Sequence, residues 1–209
     1  MGHIVLLGDS IFDNERYVPD RPPVIEQLRR SLPPGWRASL LAVDGDVVGD
    51  VSAQLERLPH DATHLFVSVG GNDALGEITI LGESVSSVGD ALELLRDVQV
   101  RFHDAYRKML RTLCAVGKPT AVCTIYDAIP GLSLAELAAL AVFNDVILRE
   151  AFQAGVPVID LRLLCDQPGD YSPLSSIEPS LAGGSKIARA IAELATSHDF
   201  GSRKTVIYL

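Results

Sequence analysis

Five short apolar runs recur along the chain: HIVLLG (3–8), ASLLAVD (38–44), HLFVSVG (64–70), TAVCTIY (120–126) and VPVIDLR (156–162). They are nearly continuous rather than alternating, the pattern of strands buried on both faces of a parallel sheet. Between them the apolar spacing changes to three and four residues. PPVIEQLRRSL sets Val24, Ile25, Leu28 and Leu32 on one face. The segment from Ala91 carries Leu92, Leu95, Val98, Phe102, Tyr106, Leu110 and Cys114 and stops at Gly117. A third helical pattern runs from Ser133, a candidate N-cap, to Gly155 as terminator, and PSLAGGSKIARAIAELATSH closes the series. Strand alternating with helix predicts an α/β fold with a doubly wound parallel sheet of five strands. No internal repeat, low-complexity tract or linker interrupts the pattern, so residues 1–209 read as a single domain. GEITILGESVSSVGD (76–90) reads as a long loop, and the tail 203–209 as a candidate edge strand.

Composition narrows the function classes. With 47% hydrophobic residues and a mean hydropathy of +0.22, the chain can bury a substantial core. A formal charge of -9 argues against a nucleic-acid partner, whose phosphates are held by clustered Lys and Arg. The start MGHIVLLGDS lacks the basic region of a signal peptide. No apolar run reaches the eighteen or so residues that a membrane helix requires. Cys114, Cys123 and Cys165 are odd in number and unevenly spaced, which predicts reduced thiols in a cytoplasmic protein.

In a parallel α/β sheet, ligands bind beyond the carboxyl ends of the strands. Three of the loops expected there carry unusual residues: GDSIFDN (8–14) with Ser10, DGDVVGDVS (44–52) with Gly45 and Gly49, and GGNDALG (70–76) with Asn72 and Asp73. Taken singly, each has a plainer reading: Ser10 as a helix cap, Gly49 as a turn residue, Asn72 as a loop former. Taken together, they supply a nucleophilic hydroxyl and donors for an oxyanion. Dinucleotide binding is poorly served, because the first loop lacks G-x-G-x-x-G.

These blocks resemble those of the SGNH (GDSL-type) hydrolases: GDS at 8–10 the nucleophile block, GD at 49–50 the glycine block, GGND at 70–73 the asparagine block. The resemblance runs from residue 3 to about residue 195. It implies a flavodoxin-like three-layer α/β/α sandwich and an esterase, thioesterase or acyl hydrolase acting on a small-molecule ester or acyl substrate without a cofactor. It also implies Ser10 as nucleophile, with the Ser10 and Gly49 N–H groups and the Asn72 side chain as oxyanion donors. Asp9, Asp13 and Asp73 are read as loop supports through hydrogen bonds to nearby N–H groups.

The last block departs from that family. Its D-x-x-H is replaced by Ser175-Ser176-Ile177-Glu178, so Glu178 stands in the histidine slot and Ser175 in the aspartate slot. The histidines of the chain do not compensate: His3, His60 and His64 fall at or before strand starts, and His103 and His198 lie far along helices. Glu178 is therefore the candidate base. A free glutamate titrates near about 4.3 and is a weak base toward a hydroxyl. Desolvation, with Asp9 and Asp13 nearby, is expected to raise it, and a Ser175 hydroxyl is expected to donate to its carboxylate. Two main readings stay open: an ester or thioester hydrolase with an atypical base, or a non-catalytic relative that binds a small acyl or anionic ligand in the same pocket. A carboxylate-lined metal site of Asp9, Asp13 and Glu178 is a third, without His or Cys ligand spacing to support it.

Overall fold

Each strand sends alternate side chains to opposite faces, and here both faces are covered. From β1 (His3–Gly8), Ile4 and Leu6 join a core cluster with Val24, Leu28, Ile187 and Ile191, while Val5 and Leu7 join a second with Phe102, Leu110 and Ile147. The computed structural model describes residues 1–202 and 204–208. Arg203 and Leu209 of the expected tail strand lie outside the described residues.

In chain order, β1 is followed by α1 (Val24–Ser31), β2 (Arg37–Leu40), α2 (Val51–Leu55), β3 (His64–Ser68) and α3 (Gly71–Gly76). Then come α4 (Val88–Ala115), β4 (Thr120–Cys123), α5 (Leu134–Ala154), β5 (Val158–Ile159), α6 (Leu161–Leu164), α7 (Leu181–Ser197) and β6 (Ile207–Tyr208). The sheet order is β2-β1-β3-β4-β5-β6, with every pairing parallel. Helices α1 and α7 cover one face; α4 and α5 cover the other. This is a three-layer α/β/α sandwich. The chain order reverses between β1 and β3, the point where such sheets open a crevice for ligands. The pairing Gly8↔Ser68 sets the two loops that leave this point side by side.

The sheet has six strands rather than five because Ile207–Tyr208 pairs with Val158–Ile159. Two strands are shorter than their apolar runs. β5 ends where Asp160 caps α6, its carboxylate accepting from the Arg162 N–H at 3.2 Å. β2 ends at Leu40, although the N–H groups of Leu41 and Ala42 still donate to the Leu6 carbonyl. The stretch 76–90 is not one loop. It contains a short turn of helix at 78–82, and α4 begins at Val88 behind an N-cap, Ser87, that accepts from the Asp90 N–H at 3.1 Å. Ser133 and Glu136 close a capping box on α5, which stops at Gly155 with φ +66°, as their side-chain chemistry dictates. On α7 a Cβ at Gly183 would stand 2.2 Å from the Asp170 carbonyl oxygen, so only glycine lets that helix approach the loop before it.

Candidate active site

The nucleophile loop is built on Gly8. Its φ is +118°, and a Cβ there would stand 1.8 Å from the Ser68 carbonyl oxygen, so no side chain fits. Buried Gln54 on α2 holds this peptide from both sides. The Gly8 N–H donates to Gln54 Oε1 (2.8 Å), and Gln54 Nε2 donates to the Gly8 carbonyl (2.7 Å) and to Asp46 Oδ2 (2.8 Å). The Asp9 carbonyl then accepts the N–H groups of Phe12 and Asp13, and its carboxylate Oδ1 accepts the Ile11 N–H at 3.1 Å. Asp9 therefore makes this turn. Ser10 does not: the short 3-10 turn that follows (Glu15–Tyr17) has Asn14 at its N-cap, the first α-helix starts only at Val24, and among the described residues the Ser10 hydroxyl caps no backbone group. The helix-cap reading fails on this geometry.

Asn72 sits on α3, beyond β3. Its Nδ2 donates to the Asp46 carbonyl at 2.9 Å, and the neighbouring Asp73 Oδ2 accepts the Val48 N–H at 3.1 Å. These two bonds tie the asparagine loop to the loop that carries Gly49. Gly49 is exposed, with open space where a Cβ would be, and stands outside the cavity wall described below. Among the described residues, the N–H groups of Ser10 and Gly49 and the second amide hydrogen of Asn72 have no partner. Asp13 Oδ2 accepts the Asp44 N–H at 3.0 Å, so Asp9, Asp13 and Asp73 all hold loops through backbone N–H groups.

Glu178 lies in the turn before α7 and is 3% exposed, Ser10 6%. Its loop is fixed by two side chains and one backbone N–H. Asn14, fully buried, donates to the Pro179 carbonyl (3.1 Å) and accepts the Val24 N–H (2.9 Å). Tyr126 donates its hydroxyl to the Ile177 carbonyl at 2.5 Å. The Ser172 hydroxyl bonds the Tyr17 carbonyl (2.6 Å), and the Ser172 N–H bonds the Glu178 carbonyl (2.8 Å). Asn14 ends the GDSIFDN block; Gln54 and Tyr126 carry no signal in the sequence pattern that separates them from ordinary helix and strand residues. Ser175 supports Glu178 through its backbone carbonyl, which accepts the Glu178 N–H at 3.1 Å. The expected bond from its hydroxyl is not made, because Ser175 lines a surface cleft instead. The carboxylate oxygen Oε2 of Glu178 is buried with no hydrogen-bond partner.

Burial pushes the Glu178 carboxyl up to about 7; the facing Ser10 hydroxyl lowers it, and the charges of Asp44 and Asp13 raise it. Among the described residues no hydrogen bond of standard geometry joins Ser10 and Glu178. Asp44, which accepts the Tyr17 hydroxyl at 3.0 Å, takes the part assigned to Asp9. Asp9 is itself pushed well above the carboxylate range, first by burial and then by Glu178 and Asp73. Ser10, Asn72 and Glu178 all line one cavity of about 120 Å³. No histidine lines it: the His3 ring bonds Asp61 and Ser39, and His103 Nε2 bonds Glu150 at 2.7 Å. Among the described residues no group of three or more His, Cys, Asp or Glu side chains is arranged to hold a metal ion, so Asp9, Asp13 and Glu178 do not form one.

Solved structures of similar fold include the extracellular lipase of Streptomyces rimosus, with 19% identity, a TM-score of 0.65 and 95% of this chain and 100% of that chain covered. Another is an α/β hydrolase from the metagenome of Lake Arreo, Spain, with 19% identity, a TM-score of 0.69 and 97% and 96% covered. An acetyl xylan esterase from Geobacillus stearothermophilus has 16% identity, a TM-score of 0.63 and 91% and 92% covered. Comparison with curated protein sequences gives no match. The model of the GDSL-like lipase/acylhydrolase family matches residues 6–184, from β1 through the loop that holds Glu178 and into α7, and the chain belongs to that family.

Proposed function

We propose that this chain is a single-domain serine hydrolase of esters or thioesters, with Ser10 as nucleophile and Glu178 as general base. One observation carries the reading. A hydroxyl with no structural bond faces a buried carboxyl that is poised near neutral pH and has an oxygen left without a partner. A general base works best when its pKa lies near the working pH. Ionised Glu178 takes the Ser10 proton as Oγ attacks the carbonyl carbon. The oxyanion is received by the unpartnered N–H groups of Ser10 and Gly49 and by the second Asn72 amide hydrogen. Glu178 returns the proton to the leaving alcohol or thiol, and a water, deprotonated by Glu178, then releases the acid from Ser10. Three free thiols suit a reducing cytoplasm.

A 4-nitrophenyl alkylphosphonate tests the nucleophile. Ser10 Oγ displaces nitrophenolate and forms an O–P bond, so mass mapping is expected to place a stable adduct on Ser10 in wild type and none in Ser10→Ala. No adduct from mildly acid to alkaline pH favours the ligand-binding relative instead. Asn72→Ala is expected to lower kcat about 10²–10³-fold with little change in KM, as loss of one oxyanion donor does. The lost amide also held the Asp46 carbonyl, so the variant's unfolding midpoint must be measured beside its rate.

A further inference from the structure

We propose that the cavity beside Ser10 is an acyl-chain subsite that selects a linear apolar chain of about six carbons over acetyl. The inference rests on the hydrolase reading above and adds the substrate class. Similar folds include both a lipase and an acetyl xylan esterase, so the fold leaves chain length open and this chain's own walls must decide it.

The direction of the chain follows from the chemistry of the site. Glu178 has to protonate the leaving oxygen, so the alcohol lies on its side, against Asp13 and Asp44. Asn72 marks the oxyanion. The acyl substituent is left to the remaining direction, toward the segment after α3 and the inner face of α5. That direction is apolar. On the wall, Val98, Leu140 and Phe143 are buried, while Leu75, Ile78 and Leu81 are exposed. Two carboxylates also border it, but both are turned into other bonds. Glu77 accepts from Arg101 Nη2 at 2.9 Å, and Glu136 accepts the Ser133 N–H at 2.7 Å. Their charges are thereby held by partners outside the cavity wall.

The size fits a chain and exceeds an acetyl group. An apolar cavity of about 150 Å³ stays dry and takes up benzene, and this one measures about 120 Å³. Exposed Leu75, Ile78 and Leu81, all on the wall of this cavity, are the kind of apolar patch that a bound ligand covers. Each methylene that enters is expected to raise kcat/KM about 4-fold, the ratio that corresponds to burying one CH₂.

The test is a series of 4-nitrophenyl esters from acetate to dodecanoate. The expected result is a rise of at least about 30-fold in kcat/KM from acetate to hexanoate, followed by a plateau or fall as the cavity fills. Ala139→Phe, one helical turn before Phe143 on the same wall, is expected to bring the hexanoate-to-acetate ratio close to unity. Leu95→Ala is expected to move the optimum to a longer chain. An NMR titration of Ser10→Ala with hexanamide and acetamide reads the cavity without catalysis, and only hexanamide is expected to shift cavity resonances. Tighter hexanamide binding with no ester hydrolysed in wild type keeps the subsite and removes the hydrolase reading. Hydrolysis with equal rates on acetate and hexanoate removes the subsite and keeps the hydrolase. Absence of hexanamide binding overturns the proposal.

Discussion

Ser10→Ala is expected to reduce kcat on a 4-nitrophenyl ester by roughly 10³–10⁶-fold, down to the rate that oxyanion donors and substrate binding sustain alone. The same change is expected to leave folding almost untouched. The Ser10 hydroxyl caps no backbone group, and the turn around it is made by the Asp9 carbonyl and carboxylate. The hydroxyl's one close partner is the Glu178 carboxyl, whose pKa it lowers. Removing it therefore breaks no hydrogen bond of standard geometry and loses one buried oxygen atom, a change of about 1 kcal/mol or less in urea unfolding. Rate and stability are thereby separated. A Ser10→Ala variant that keeps wild-type turnover assigns the nucleophile elsewhere, and one that loses both rate and fold makes Ser10 a structural residue.

The layer order was legible in the sequence because continuous apolar runs and helical spacing report burial directly. The runs 3–8, 64–70 and 120–126 contain β1, β3 and β4, and Ser133 and Gly155 bound α5 through cap chemistry that acts locally. The misses have non-local causes. The apolar run 156–162 supplies only two residues of strand, because Asp160 finds Thr124 (2.9 Å) and Arg162 (2.8 Å) as partners and turns the chain into α6. The tail was legible as a candidate edge strand, but its partner was not, because the pairing of Ile207–Tyr208 with Val158–Ile159 is set by contacts across the sheet. For the candidate site, Ser10 and Asn72 were picked out because their blocks follow strands at one rim, and Glu178 because it stands in the family's histidine slot. The residues that place them were not. Gln54 reaches Gly8 across 46 positions and Asn14 reaches Pro179 across 165, and such contacts leave no local pattern. Ser175 shows the converse. Its position in the motif suggested a hydroxyl donor, whereas its backbone carbonyl closes the turn.

Glu178→Gln is expected to lower kcat/KM about 10²–10⁴-fold, the range supplied by a general base. Glutamine keeps the size and a hydrogen-bonding head but cannot take the Ser10 proton. In wild type the acid limb of kcat/KM is expected near pH 7, because burial, Asp44 and Asp13 raise the Glu178 carboxyl to about 7 and the Ser10 hydroxyl only partly offsets them. The same shift has a stability consequence of fixed sign. The folded carboxyl titrates above its unfolded value, so its contribution is fully present below about pH 4.5 and is lost as pH rises through about 7. Above that, an ionised carboxylate is held in a buried site with Oε2 unpartnered, at a cost of up to about 3 kcal/mol. Glutamine carries no charge to bury. Urea unfolding is therefore expected to give similar stabilities for the two proteins near pH 4.5 and a more stable Glu178→Gln at pH 8. Slow turnover together with a pH-dependent gain in stability is the signature of a base kept at a cost to the fold. If Glu178→Gln hydrolyses the ester as fast as wild type across the same pH range, Glu178 is not the base and its burial is structural.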